Sequence, residues 1–417
     1  MLKPALRRAW RGRQTLQFGA GRAHAVKLGP VDPATGAFLE LLDGTRGLPL
    51  LRQEAPRYGL APGQADALLD ALATAGLLDD TTGGGEPAAR LRARPDVLER
   101  LRADHAALSV VHREPAAAVE RLAARRATRV QVRGAGRVGA TVATLLAAAG
   151  VGRVDVQDGG CVTPWETAPG GLPPDRIGER RAVAAQQEVR RWSPGARGKG
   201  GGRPRAAPEP PRGGGRGLPR QGPEPPLGGR RGRPRQGPEP SLGRSPGRPR
   251  EGPELPLALV VMAPRDGLGA YAPDPGAVEQ LMAAGVPHVY AGVLEGTGVV
   301  GPLVLPGESA CSGCMAAERC EREPEWPRMV AQWRSGGRRE GVAACDIALA
   351  TMVAGLAAAH ALTFLDGRLP PIAGARLECA LPALSWETCR PAPHPRCGCG
   401  AAAEGGAAEQ EAGGVHV

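Results

Sequence analysis

The sequence predicts an α/β protein. A doubly wound parallel sheet is preceded by a small winged-helix-like domain and interrupted by a disordered Pro/Arg/Gly repeat. Three observations predict it. One is a strand–glycine turn–helix–strand–acid unit between Val130 and Asp158. Another is a second group of apolar strands that begins only at Leu257, beyond a 15-residue repeat. The third is a set of two short strands and three short amphipathic helices before Leu78.

In the first unit, Val130 to Val132 leads into Gly134-Ala-Gly136-Arg-Val-Gly139, an alanine-rich helical pattern follows, and Val154 to Gln157 ends at Asp158. This order forms one half of a Rossmann-like nucleotide crevice. Gly134 permits the tight turn, Gly136 lets the backbone approach phosphates, and Gly139 lets the helix pack closely on the strand. The helix N-terminus offers unpaired N–H groups to an anion. Asp158 falls 19 residues after Gly139, where a carboxylate can accept from ribose hydroxyls. The plainer reading is a strand–turn–helix whose glycines only pack.

Near the N-terminus, Thr15 to Phe18 and His24 to Leu28 read as strands. Ala34 to Leu42, Leu48 to Tyr58 and Pro62 to Leu78 read as helices. The last carries an apolar stripe of Ala65, Leu68, Leu69, Leu72 and Ala75. A winged helix can hold DNA, a peptide or another domain. Its third helix carries Asp66 and Asp70 and no arginine run, which argues against reading a DNA groove. Capture of a peptide at the sheet edge fits better. A packing or dimerisation module fits as well.

The formal charge of +11 points to no nucleic-acid partner. Residues 195–253 alone carry 14 Lys and Arg against 4 Glu, so the rest of the chain is near neutral. Four related units open at Pro204, Pro219, Pro234 and Pro249, and proline every few residues blocks helix and sheet. No strand reads between Pro194 and Leu255, so one sheet edge is either missing or supplied from elsewhere. Ile347 to Leu365 is apolar enough to span a bilayer, but its small residues read as a helix buried against a sheet. The basic N-terminus is followed by no apolar signal core. With nine cysteines, this predicts a cytoplasmic protein with metal or thiol chemistry.

In the second half, Leu257 to Met262 reads as a buried strand and Val278 to Ala284 as a helix. His288 to Val293 and Val299 to Leu305 read as a strand pair joined at Gly-Thr-Gly. Cys311 and Cys314 (CSGC) follow, and Cys397 and Cys399 (CGC) come late in the chain. Four thiolates from two loops can close a tetrahedral zinc site. His394 is a rival ligand. The remaining reading is free cysteines around a turn. Cys161, Cys320, Cys345, Cys379 and Cys389 lack a regular spacing and take no assigned role.

Together these segments resemble the ThiF and MoeB family of ubiquitin-activating-like adenylyltransferases. The resemblance runs from about Ala127 to Gly400 without the repeat. It rests on GAGRVGATVATLLAAAGVGRVDVQD, on IGERRAVAAQQEVRRWSPG at Ile177 to Gly195, and on LALVVM, the two Cys pairs and their order. It implies binding of ATP and Mg²⁺, adenylation of the C-terminal carboxylate of a small protein or peptide, a structural zinc and a homodimer. The family pattern D-x-D-x-V-x-x-S-N-x-x-R keeps Asp158 and Val162. Gly160, Trp165, Glu166 and Pro169 stand at its other positions. Arg181 replaces the downstream Lys, and Met262-Ala263-Pro264 stands where a metal-binding Asp is expected, with Asp266 the shifted candidate.

The resemblance thus implies Gly134, Gly136, Gly139 and Asp158 for the nucleotide, Arg181 and Asp266 for catalysis, and Cys311, Cys314, Cys397 and Cys399 for zinc. A winged helix ahead of such a domain also resembles the leader-binding partner of cyclodehydratases that make thiazole and oxazole peptides, where a second modification enzyme performs the ATP chemistry. Two functions remain open: an adenylyltransferase in peptide modification, and a degenerate scaffold that binds a precursor leader peptide. The expected partition is 1–86 winged-helix-like, 87–126 helical connector, 127–194 and 255–400 the two halves of the Rossmann-like domain, 195–254 the insertion and 401–417 a disordered tail.

Overall fold

The computed structural model describes residues 1–195, 255–335 and 342–402. Nearly all of the repeat, and the tail after 402, lie outside the described residues. The chain begins with β1 (Arg8–Trp10), β2 (Leu16–Phe18) and β3 (Val26–Leu28), an antiparallel sheet in that order. Three helices follow: α1 (Pro33–Glu40), α2 (Leu48–Glu54) and α3 (Gln64–Thr74). Asp32 caps α1 by accepting from Thr35 N, and Pro33 occupies the first helical turn. Phe18, Phe38, Leu39, Leu72 and Leu77 form a core of their own here. β1 is an addition to the two strands read from the sequence. Its three residues are all exposed, so it has no burial pattern to betray it.

The chain continues through four helices, α4 (Gly85–Arg92), α5 (Pro95–Arg100), α6 (Arg102–Val111) and α7 (Ala117–Arg126). Then come β4 (Arg129–Arg133), α8 (Arg137–Ala148), β5 (Arg153–Gln157), α9 (Arg181–Trp192), β6 (Leu257–Met262), α10 (Leu268–Tyr271), α11 (Glu279–Ala283), β7 (His288–Leu294) and β8 (Thr297–Val304). The chain closes with α12 (Ser312–Arg322), α13 (Trp326–Ser335), α14 (Ile347–Leu365), β9 (Arg376–Ala380) and β10 (Trp386–Cys389). The turn joining β7 to β8 lies at Glu295-Gly296, one residue ahead of the Gly-Thr-Gly read from the sequence.

The main sheet runs β10-β9-β8-β7-β6-β4-β5. β5, β4, β6 and β7 are parallel, and β8, β9 and β10 extend the sheet antiparallel. Among the described residues β5 is the sheet edge. Val130, Val132, Leu259, Val261 and Ala291 pack with α8 and α14 on one face. Val260, Tyr290 and Val304 face Leu281 and Cys314 on the other. This alternation follows from the pleat, which sends successive side chains to opposite faces.

α14 has the bounds read from the sequence, and Asp346 caps it by accepting from Ala348 N and Leu349 N. It is buried on one face only: Leu349, Val353, Ala357 and Ala361 pack inward, while Ile347 and Met352 are exposed. A buried ion pair ties α7 to its far end. Arg125 Nε and Nη2 donate to the two carboxylate oxygens of Asp366 at 2.7 and 2.6 Å.

Candidate functional site

β4 is the point where the strand order reverses. β5 lies on one side of it and β6 on the other, so a crevice opens between the C-terminal ends of β4 and β6. The glycine turn sits there. Gly134 has φ +106°, and a Cβ on it would lie 1.9 Å from the carbonyl oxygen of Ala263, at the end of β6. A Cβ on Gly139 would lie 2.0 Å from the carbonyl oxygen of Gly134. Both positions therefore need glycine for close backbone contact. Gly136 is the N-cap of α8 and supplies no side chain to the helix N–H groups. Those N–H groups and the helix dipole suit an anion.

Arg265 lies in front of Gly136. Its Cγ would stand 3.1 Å from a Cβ there. A phosphate reaching α8 must move this side chain, which is flexible and about one-third exposed. Arg265 Nη1 donates to Glu166 Oε1 at 3.1 Å, and its Nε lies 3.6 Å from Asp158 Oδ1. Arg181 donates to Asp158 Oδ1 at 2.9 Å and to Glu166 Oε2 at 3.1 Å. It also donates to the carbonyls of Gly159 and Cys161. Asp158 Oδ2 accepts from Ala135 N at 2.6 Å.

Two arginines and two carboxylates thus form a neutral quartet at the mouth of the turn. Burial works against the Glu166 carboxylate, but hydrogen bonds from Thr163 and Arg265 and the charge of Arg181 outweigh it and hold Glu166 below the usual range.

The structure brings Gly134, Gly136, Gly139, Asp158 and Arg181 together. Arg181 is 3% exposed and fully engaged by protein groups, so it orients Asp158 and Glu166 and offers little to a ligand. Asp266 is exposed, and its carboxylate accepts from Leu268 N at 3.2 Å. The guanidinium on the open side is that of Arg265. No sequence signal marks it, because its place depends on the loop after β6 folding across a turn that lies 129 residues earlier. In the sequence Glu166 stands out only as a departure from a pattern. In the structure it is the second acid of the quartet. The glycine turn and the bare helix end fit a nucleotide's phosphates. Asp158 fits its ribose only once the carboxylate exchanges one of its present partners.

The four cysteines also converge. The sulfurs of Cys311, Cys314, Cys397 and Cys399 all lie within 4.8 Å of one another. Cys311 and Cys397 are 3.5 Å apart, Cys314 and Cys399 3.5 Å, and Cys311 and Cys314 3.8 Å. Zn–S bonds of about 2.3 Å in a tetrahedron place sulfurs about 3.8 Å apart, so the donor set fits zinc. Burial pushes the Cys311 and Cys397 thiols up, and a divalent cation reverses that preference. The rival His394 is engaged on both ring nitrogens. Nε2 lies 3.2 Å from Glu321, and Nδ1 accepts from Arg396 N at 3.2 Å.

Comparison with known proteins agrees with this geometry. The ThiF family profile matches residues 112–199 and 278–401. No curated protein matches the sequence. Among solved structures, E. coli MccB with ATP superposes with a TM-score of 0.58 at 12% identity, covering 96% of this chain and 98% of that one. The microcin C7 biosynthetic enzyme MccB with N-formylated MccA gives 0.59 at 12%, covering 96% and 99%. PaaA gives 0.58 at 11%, covering 94% and 99%. At such identities these likenesses concern the fold. The family match spans just over half of the 417 residues, and the chain belongs to the ThiF family.

Proposed function

We propose that this protein is an ATP-dependent adenylyltransferase that activates a carboxylate of a small protein or precursor peptide for modification. The observation that carries the reading is the bare N-terminus of α8 at Gly136, set at the strand-order reversal with a movable guanidinium beside it. Family membership supports it, as does the same fold in MccB, a protein solved with ATP and with MccA.

ATP supplies an α-phosphate for the carboxylate to attack, with pyrophosphate leaving. Gly134, Gly136 and Gly139 shape the cradle for the phosphates. Asp158 turns to the ribose, and Arg265, released from Glu166, neutralises developing phosphate charge. Arg181 holds Asp158 and Glu166 in place. Asp266 is the residue to hold Mg²⁺. Cys311, Cys314, Cys397 and Cys399 hold a structural zinc. The N-terminal strands and helices, as a winged-helix-like module, hold the peptide, and two chains form a homodimer.

A second reading is a degenerate scaffold that binds a leader peptide while a partner enzyme uses ATP. The closed quartet favours it, because Asp158, Glu166 and Arg181 satisfy one another without a ligand. Pyrophosphate exchange into ATP, with and without candidate peptide, separates the two. Peptide-dependent exchange supports the enzyme. Peptide binding with no calorimetric ATP binding supports the scaffold and overturns the adenylyltransferase.

A further inference from the structure

A cavity of about 280 Å³ lies among α12, α13, the segment from Tyr271 to Pro275 and the β9–β10 edge. It shares no lining residue with the glycine crevice, so a ligand in this cavity does not depend on the crevice taking a nucleotide. Two of its walls are aromatic rings, each covered by a guanidinium. Arg319 lies 4.5 Å from the centroid of Trp326, and Arg376 lies 5.1 Å from that of Tyr271. Trp333 meets Trp326 edge to face at 5.6 Å. Stacking of this kind fixes the plane of each arginine.

The charge of the lining is one-sided. Arg322 and Arg334 join Arg319 and Arg376 in the walls, and Glu318 is the one carboxylate among the lining residues. Glu323, Glu378 and Asp274, which pair with three of these arginines, stand outside the lining. The Nε atoms of Arg319 and Arg376 are buried and have no hydrogen-bond partner among the described residues. Those two Nε–H groups are sealed from solvent, so a ligand can meet these guanidiniums only through their Nη groups, which form strong charge-assisted bonds with a carboxylate.

We propose that this cavity binds a carboxylate carried on a small aromatic body. Arg319 and Arg376 would meet the charge, and the walls around Trp326 and Tyr271 would meet the ring. A bare inorganic anion would leave the apolar lining of Met315, Ala316, Pro327 and Val330 uncovered, and an uncharged ring would make no use of the guanidinium charge. The volume limits the occupant to about one ring and its acid, at the small end of ligand pockets. That acid is either a free small molecule or part of an acidic peptide segment.

The test titrates the full chain with phenylacetate, reading tryptophan fluorescence and heat, and repeats it with phenylacetamide, its uncharged counterpart. Saturable phenylacetate binding is expected, with the amide at least about tenfold weaker. Arg376→Gln and Arg319→Gln should each weaken phenylacetate by a similar factor. Arg319→Lys should not restore it, because it keeps the charge and loses the fork. Arg376 also donates to Tyr271 O, so Arg319→Gln serves if Arg376→Gln does not fold. Competition by N-acetyl-Phe-Glu-amide identifies a peptide source, and its failure to compete identifies a free acid. Equal affinity for acid and amide, no saturable phenylacetate binding, or unchanged affinity in a folded glutamine variant overturns the proposal.

Discussion

Replacement of Cys314 by serine tests the metal reading most directly. Cys314 is 0% exposed and lies 3.5 Å from Cys399 and 3.8 Å from Cys311, at one corner of the sulfur tetrahedron. A four-ligand zinc site contributes about 10–16 kcal/mol of coupled folding energy, so one thiolate in four accounts for about 2.5–4 kcal/mol. A serine hydroxyl left buried there without a partner adds about 1–3 kcal/mol. The expected loss of about 3.5–7 kcal/mol is a large part of a typical domain stability of about 5–15 kcal/mol. The assay is denaturant unfolding with zinc content measured alongside, on the wild type, Cys314→Ser and the exposed control Cys389→Ser. The wild type and the control should each hold about one zinc per chain, and a chelator should move the wild type toward the variant. A wild-type curve unmoved by chelator, or a Cys314→Ser protein as stable as the control, would refute the argument.

Three further substitutions probe the quartet and the core. Arg265→Ala should weaken ATP binding by about tenfold to a hundredfold in calorimetry, the range of one charge-assisted contact, with the melting temperature little changed. Arg125→Leu strands Asp366, whose side chain is 6% exposed, and should cost about 3–5 kcal/mol in denaturant unfolding. Leucine at both positions should recover most of that loss. Glu166 sets an acid limit. Its folded pKa is depressed, so its contribution to stability is present above the unfolded value of about 4.3 and is lost as pH falls through the lower folded value. Glu166→Gln should flatten the fall of melting temperature below about pH 4.3. An unchanged slope there would show that the quartet is not formed in solution.

Much of the frame was legible in the residues. The spacing of Gly134, Gly136 and Gly139 after an apolar strand forecasts a turn that only small residues can make, and the would-be Cβ contacts with Ala263 and Gly134 oxygens give the steric reason. LALVVM is an uninterrupted apolar run because β6 is covered on both faces. α14 announced itself through Asp346 and its small residues. β9 and β10 were not legible. They lie at the edge of the sheet, mostly half-buried or exposed, and their sequences carry no clean alternation.

By itself the sequence determined the strand–turn–helix, the succession of apolar strands along the chain and the two cysteine pairs. These depend on local sterics and on periodicities that neighbouring residues share. Tertiary structure alone decided that Arg265 crosses Gly136, that Arg181 belongs to Asp158 and Glu166, and that Arg319 and Arg376 enclose one cavity with Tyr271 and Trp326. Those contacts join residues far apart in the chain. A long flexible side chain carries no mark of its partner until packing has excluded water and left it one acceptor within reach.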